Sequence, residues 1–246
     1  MAEYDRRYGA AVRTGAASRA EGIDEGLRAF MLGIYNNMAL GLAITGLVAY
    51  AVYAWAASDP AVAQTLYGSP LRWVIIFAPL AFVFGLSAGI NRMSPATARL
   101  AFFAYAAVMG LSLSSIFIVF TGESIARTFF ITAASFAGLS LYGYTTKRDM
   151  SGMGSFLMMG LIGLILASVV NIFLASSGMQ FAISVIGVLL FSALTAYDTQ
   201  RLKNTYDFVA NDVTAAGRAS IIGALQLYLD FINLFMFLLQ FMGNRE

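Results

Sequence analysis

Two aspartates, Asp198 and Asp230, lie within the last two strongly apolar segments of the sequence. The other acidic residues fall in the N-terminal tail, in short polar connections or at the C-terminus, where water can solvate them. An ionisable side chain at membrane depth is costly and is by default a candidate functional residue. These two carboxyls are therefore the first candidates for the chemistry of this protein.

Polar side chains accompany both aspartates in the sequence. They are Tyr197 and Arg201 around Asp198, and Gln226 and Asn233 around Asp230. Residues at i, i+4 and i+7 share one face of a helix, so the last segment carries a polar stripe on an otherwise apolar surface. Such a helix belongs at the centre of a bundle, and an antiparallel neighbour can bring the two carboxyls to similar depth.

Two buried carboxyls that meet cannot easily both ionise, so the pair would share a proton and titrate as a unit. An arginine at the same level would stabilise the charged form; Arg92, at the end of the second apolar segment, is the first candidate and Arg201 the second. The simpler alternatives are an interfacial Asp198 paired with Arg201 and a neutral, hydrogen-bonded Asp230. Carboxylate, amide and backbone oxygens are ligands for calcium, and two carboxylates predict only a weak, transient site.

The composition identifies an all-α integral membrane protein. Hydrophobic residues make up 59% of the chain, charged residues 11%, and the mean hydropathy is +0.75. Runs of about 20 apolar residues can each cross a hydrocarbon core about 30 Å thick. The net charge of +2 does not suggest nucleic acid. Without cysteine or histidine, disulfides, zinc sites built on those residues and histidine-activated nucleophiles are excluded, and we expect no cofactor.

Hydropathy and punctuation by Pro, Gly and charge divide the chain into a disordered cytosolic tail (1–28), a seven-helix membrane domain (29–242) and a short end (243–246). The predicted spans are about 29–57, 71–91, 96–120, 125–146, 153–175, 180–201 and 221–242. The connection 201–220 could hold a short interfacial helix. If the last segment re-enters without crossing, the count is six.

Lysine and arginine gather on one side of the seven-helix arrangement. The tail and the connections 91–99, 147–152 and 201–220 hold twelve of them, and the opposite side holds Arg72, Arg127 and Arg245. Positively charged short loops resist translocation. The N-terminus is therefore predicted to be cytosolic and the C-terminus outside.

The chain resembles the Bax inhibitor-1 family, including its bacterial YccA-like members, at residues 196–200 (AYDTQ) and 227–235 (LYLDFINLF). The resemblance covers essentially residues 29–242 and implies a central seventh helix wrapped by the other six. The resemblance also implies that Asp198 and Asp230 form a pH-sensing pair. It implies that an arginine of the second helix, by position Arg92, binds Asp198 as a latch. The activity that it implies is a pH-sensitive calcium leak. The chain lacks the lysine-rich C-terminal tail of some eukaryotic members, which favours a bacterial plasma-membrane protein.

Three other classes compete with a channel. A non-conducting regulator would bind a membrane protease or another membrane complex through the arginine-rich tail. An intramembrane aspartyl protease would match at Tyr197-Asp198, but the Gly-x-Gly-Asp half of its signature is missing at Asp230, and we do not expect an enzyme. A retinal protein needs a lysine within the membrane, whereas Lys147 and Lys203 lie at loops, so that class is excluded.

Overall fold

The computed structural model describes residues 2–244, with side chains for 25–90 and 92–244, and this part of the chain is built from helices. Seven of them are long, and we number them α1 to α7. They span Ala2–Ser58, Leu71–Gly89, Pro95–Leu113, Gly122–Thr145, Gly154–Leu174, Ser177–Val209 and Val213–Met242. A one-turn helix, Ile116–Val119, extends α3 after a break at Ser114 and Ser115. Each of the seven is long and apolar enough to cross a membrane, which confirms the predicted fold class.

The beginning of α1 differs from the sequence prediction. Residues 1–28 were expected to be disordered, whereas the helix begins at Ala2 and continues without a break to Ser58. The tail contains alanine, arginine and glutamate, which favour helix, and no proline that would end one. The apolar, membrane-crossing part of α1 is Glu25–Ser58.

The ends of α6 and α7 also differ from the prediction. α6 continues to Val209 instead of ending near residue 201, and α7 begins at Val213 instead of near residue 221, so the suggested interfacial helix is absent. Asp212 begins α7, because its side chain accepts hydrogen bonds from the backbone N–H groups of Thr214 and Ala215. Hydropathy detects only the part of a helix that suits lipid, so it misses polar turns that continue into water.

The last helix is the centre of the bundle. α7 is an unbroken helix of 30 residues, which gives no sign of a re-entrant turn. In its apolar stretch of 18 residues, 61% of the residues are buried. It packs against α1, α3, α4 and α6, while α2 packs mainly on α3 and α5 mainly on α6 at the periphery. Outward-facing side chains on the peripheral helices are large and apolar, as with Phe173 on α5, which suits contact with lipid.

A buried hydrogen-bonded group fixes α7 to its neighbours. The Tyr228 hydroxyl lies 2.6 Å from Thr45 Oγ1 on α1, and Thr45 donates to the Ala106 carbonyl oxygen on α3 at 2.9 Å. Phe102 and Tyr105 pack edge-on against the Tyr228 ring. Buried polar groups paired in this way hold one helix register, so α7 cannot slide without breaking them.

Close packing of α4 on α6 sets the position of the Asp198 segment. Gly143 on α4 lies against the backbone of Ala196, where any Cβ would collide with it. Ser140 Oγ and Thr199 Oγ1 lie 3.0 Å apart on the same contact. Small residues let membrane helices approach closely. Here they fix the rotation of α6, so that the face with Asp198 is directed toward α7.

Candidate functional site: an intramembrane carboxylate pair

Asp198 and Asp230 meet beside one cavity of about 540 Å³ between α5, α6 and α7. Each carboxylate residue is only 5% exposed. Counted from the tight turn at residues 210–212, Asp198 lies about three turns up α6, and Asp230 lies one to two turns deeper on α7. The predicted meeting of the two aspartates therefore occurs in the structure.

The remaining polar lining of the cavity comes from the four predicted neighbours and from Ser168, which was not predicted. Besides the two aspartates, its polar side chains are Ser168, Tyr197, Arg201, Gln226 and Asn233. The Asn233 amide donates to the Leu229 carbonyl oxygen of its own helix at 2.8 Å, which orients the side chain. α5 contributes mostly apolar side chains from Gly154 to Ile172, so the cavity is polar on the α6 and α7 walls and apolar on the α5 wall.

The two carboxyls interact with each other and with their polar neighbours. Asp198 interacts with the Gln226 amide and the Asp230 carboxyl, and the positive charge of Arg201 acts on it. Oδ2 of Asp230 is buried without a hydrogen-bond partner among the described residues. A buried acceptor without a partner is costly, so this oxygen is free to carry a proton or to coordinate a cation, while the other carboxyl oxygen faces Asp198.

A second cavity of about 200 Å³ adjoins the first on the α6 side. Tyr197 and Arg201 line both cavities, so these two side chains form the wall between them. Gln200, which also lines the second cavity, ties the α4–α5 loop to α6: its Nε2 donates to the Arg148 carbonyl oxygen at 2.8 Å, and its Oε1 accepts from the Met150 N–H at 2.9 Å. The loop and α6 therefore build this mouth together.

The opposite ends of α5, α6 and α7 are joined by a chain of amides. Asn171 Nδ2 donates to Gln180 Oε1 at 3.2 Å, and Gln180 Nε2 donates to Gln240 Oε1 at 2.8 Å. Asn171 is next to Ile172, the last α5 residue that lines the large cavity. The amide chain thus lies where that cavity ends. The sequence offered only a weak signal for it, namely an asparagine within an apolar helix.

The predicted contact between Arg92 and Asp198 is absent from this structure. Arg92 ends the short turn Ile90–Arg92, its side chain is exposed, and within the described residues it forms no ion pair with Asp198 and does not line the cavity. The physical reason is the placement of α2, which packs on α3 rather than on α6. Arg201, the second candidate, is the arginine near Asp198.

The site offers two carboxylates to a cation. Among the described residues no cluster holds three or more histidine, cysteine, aspartate or glutamate side chains suited to a metal ion. Calcium takes six to eight oxygen ligands, so a pair of carboxylates with the Gln226 and Asn233 amides can bind it only weakly, with water completing the shell.

These features define a polytopic membrane protein whose last two helices hold a carboxylate pair beside an intramembrane cavity. The family model described as "Inhibitor of apoptosis-promoting Bax1" matches residues 27–246, and the chain belongs to this Bax inhibitor-1 family. It is 48% identical to a Caulobacter vibrioides protein over 100% of both chains. It is also 48% identical to the Escherichia coli inner membrane protein YbhL, over 90% of this chain and 94% of the relative. A Rickettsia prowazekii protein is 47% identical over 93% of this chain and 95% of its own length.

Proposed function

We propose that this protein is a pH-sensitive calcium leak channel in which Asp198 and Asp230 form both the proton sensor and the ion pathway. The observation that carries the proposal is the meeting of the two buried carboxyls beside a cavity that follows almost the whole of α5, from Gly154 to Ile172. At 1.5 Å per residue that length is about 27 Å, close to the thickness of a hydrocarbon core. In the proposed channel, the amide chain is the barrier at one end, and Tyr197 with Arg201 is the barrier at the other.

Weak coordination suits a leak. An ion must bind well enough to enter and weakly enough to leave, and a pair of carboxylates with amide and water ligands meets both conditions. A proton shared between Asp198 and Asp230 competes with calcium for the same oxygens. Flux therefore depends on pH through the charge of the pair.

Arg201 supplies the gate at the mouth. While Asp198 is charged, it attracts the guanidinium of Arg201 and holds that side chain in the wall between the two cavities. Protonation of Asp198 removes this attraction, so acid favours opening. The charged and titratable residues that line the two cavities are Asp198, Asp230, Tyr197 and Arg201, and α5 adds none.

The proposed location is a bacterial inner membrane, because a relative that matches 90% of the chain bears the name inner membrane protein. The proposed orientation follows the lysine and arginine counts, which favour a cytosolic N-terminus, a cytosolic Arg201 mouth and a C-terminus outside. The bilayer and calcium ions are then the partners that the channel requires, and no cofactor is needed.

A non-conducting regulator is the second candidate. The observation in its favour is the long α1, which begins at Ala2 and extends well before its membrane-crossing part at Glu25–Ser58. The arginine-rich sequence of that extension would contact a membrane protease or another membrane complex. Deleting residues 2–24 would abolish regulation but leave the flux of a channel intact.

The test is calcium entry into liposomes that contain the purified protein and a trapped indicator, measured from about pH 6 to about pH 8. One shared proton allows the logarithm of flux to change by at most about one unit per pH unit. Asp198→Asn and Asp230→Asn remove the shared proton, so the pH dependence should flatten while the side-chain shape is kept.

Asp207→Asn is the matched control, because Asp207 is an exposed carboxylate on the same helix α6 and should leave the pH dependence unchanged. If wild-type protein passes no calcium at any pH, the channel proposal fails and the regulator takes its place. If Asp198→Asn and Asp230→Asn both keep the wild-type slope, the pair is not the proton sensor.

A further inference from the structure

A separate groove lies on the other side of the bundle, between α1 and α4. It has a volume of about 600 Å³ and does not share a residue with the carboxylate cavity. Its walls are mainly apolar and include Met31, Leu32, Met38, Ala39, Phe136 and Ala137. Both flanking helices are long and apolar enough to cross a membrane, so under the proposed topology the groove faces lipid rather than water.

One end of the groove is basic. Arg28 and Tyr144 line that end, and Lys203 lies beside it, with its Nζ 5.1 Å from the centre of the Tyr144 ring and donating to the Tyr144 carbonyl oxygen at 2.9 Å. Lys147 follows in the same loop. The acidic residues close to these in sequence are Glu25, one turn before Arg28 on α1, and Asp207, one turn after Lys203 on α6. Both are exposed, and neither lines the groove.

The length of the groove matches one leaflet of a bilayer. On α1 it extends from Arg28 to Ala39, a rise of about 16 Å at 1.5 Å per residue. Half of a hydrocarbon core about 30 Å thick is about 15 Å. Its basic end is the end where α4 meets the Lys147 loop, which is the cytosolic end under the proposed topology.

We propose that this groove binds one anionic phospholipid of the cytosolic leaflet. An acyl chain lies along the apolar walls, and the phosphate lies between Arg28 and Lys203. Charge complementarity selects an anionic headgroup over a zwitterionic one, because Arg28 and Lys203 are basic and the groove lining contains no acidic side chain. The apolar walls of the groove fix the position of the acyl chain, which basic residues on an open surface would not do.

Native mass spectrometry of the purified full-length protein tests this site. The detergent-solubilised protein is incubated with equal amounts of phosphatidylglycerol and phosphatidylcholine, and bound lipids are identified by mass. Wild type should retain one phosphatidylglycerol in preference to phosphatidylcholine. Arg28→Gln and Lys203→Gln should each lower that preference about fivefold, the effect expected of one basic residue at a membrane surface.

Ala137→Trp fills the groove and should prevent binding of both lipids. The controls are Ala134→Trp, at an exposed α4 position outside the groove, and Arg99→Gln, which removes an exposed basic residue of α3; both should bind as wild type does. Lys203→Arg keeps the charge and should keep the preference. Equal retention of the two lipids by wild type, undiminished binding in Ala137→Trp, or a lipid-free dimer would overturn the proposal.

Discussion

Removing the guanidinium of Arg201 should open the leak at neutral and higher pH. Arg201 lies three residues after Asp198, so the two side chains share one face of α6. Asp198 is 5% exposed, whereas Arg201 is exposed. The same face is the one that lines both cavities, so loss of Arg201 removes part of the wall between them.

The magnitude follows from this half-buried geometry. A fully exposed helical pair contributes about 0.2–0.5 kcal/mol, and a hydrogen bond to a buried charged group about 1.5–3 kcal/mol. An intermediate value of about 1 kcal/mol changes a two-state equilibrium about fivefold. We therefore expect Arg201→Ala to raise calcium flux about fivefold where Asp198 is charged. In acid, where protonated Asp198 no longer attracts Arg201, the variant and the wild type should conduct alike.

The liposome assay compares Arg201→Ala with two control variants, Arg201→Lys and Arg92→Ala. Arg201→Lys keeps a positive charge and should stay within about twofold of wild type, a difference below about 0.5 kcal/mol. Arg92→Ala should also have little effect, because Arg92 makes no ion pair with Asp198 in the described structure. If Arg92→Ala raises the leak and Arg201→Ala does not, then Arg92 rather than Arg201 is the latch, as the family resemblance implies.

Two further predictions concern the far end of the cavity and the topology. Gln180→Leu removes both hydrogen bonds that join α5, α6 and α7, each worth about 0.5–1.5 kcal/mol. If the amide chain closes the cavity, basal calcium flux in the liposome assay should rise severalfold with an unchanged pH slope. Unchanged flux would exclude such a role. A reporter fused after Glu246 should be found outside the cell while the N-terminus is found inside; two cytosolic ends would mean that α7 does not cross.

The membrane class and the candidate aspartates could be predicted because each depends on a local property of the sequence. Hydropathy over about 20 residues identifies a segment that can cross lipid, and a carboxyl within such a segment is conspicuous. The i, i+4, i+7 spacing of Gln226, Asp230 and Asn233 fixes their common face without any knowledge of the neighbours. The structure places all three on the wall of one cavity.

The helix ends were predicted less well, because hydropathy and helix formation are different properties. The polar turns that carry α6 to Val209 and begin α7 at Val213 continue these two helices beyond their apolar runs. A helix ends where capping or a breaker ends it, and here the cap is Asp212. The boundary of an apolar run therefore marks the edge of the lipid rather than the end of the helix.

By itself, then, the sequence determined that the chain is a helical membrane protein with two exceptional carboxyls, since these follow from composition and from spacing along one helix. Only the tertiary structure decided which arginine is near Asp198 and where an ion pathway can lie. It also decided that α1 and α4 enclose a groove. Those features depend on which helices pack together: Gly143 admits α6 against α4, and α2 packs on α3, far from Asp198. Contacts between segments distant in sequence are set by the shapes of all the surfaces at once, which no local pattern records.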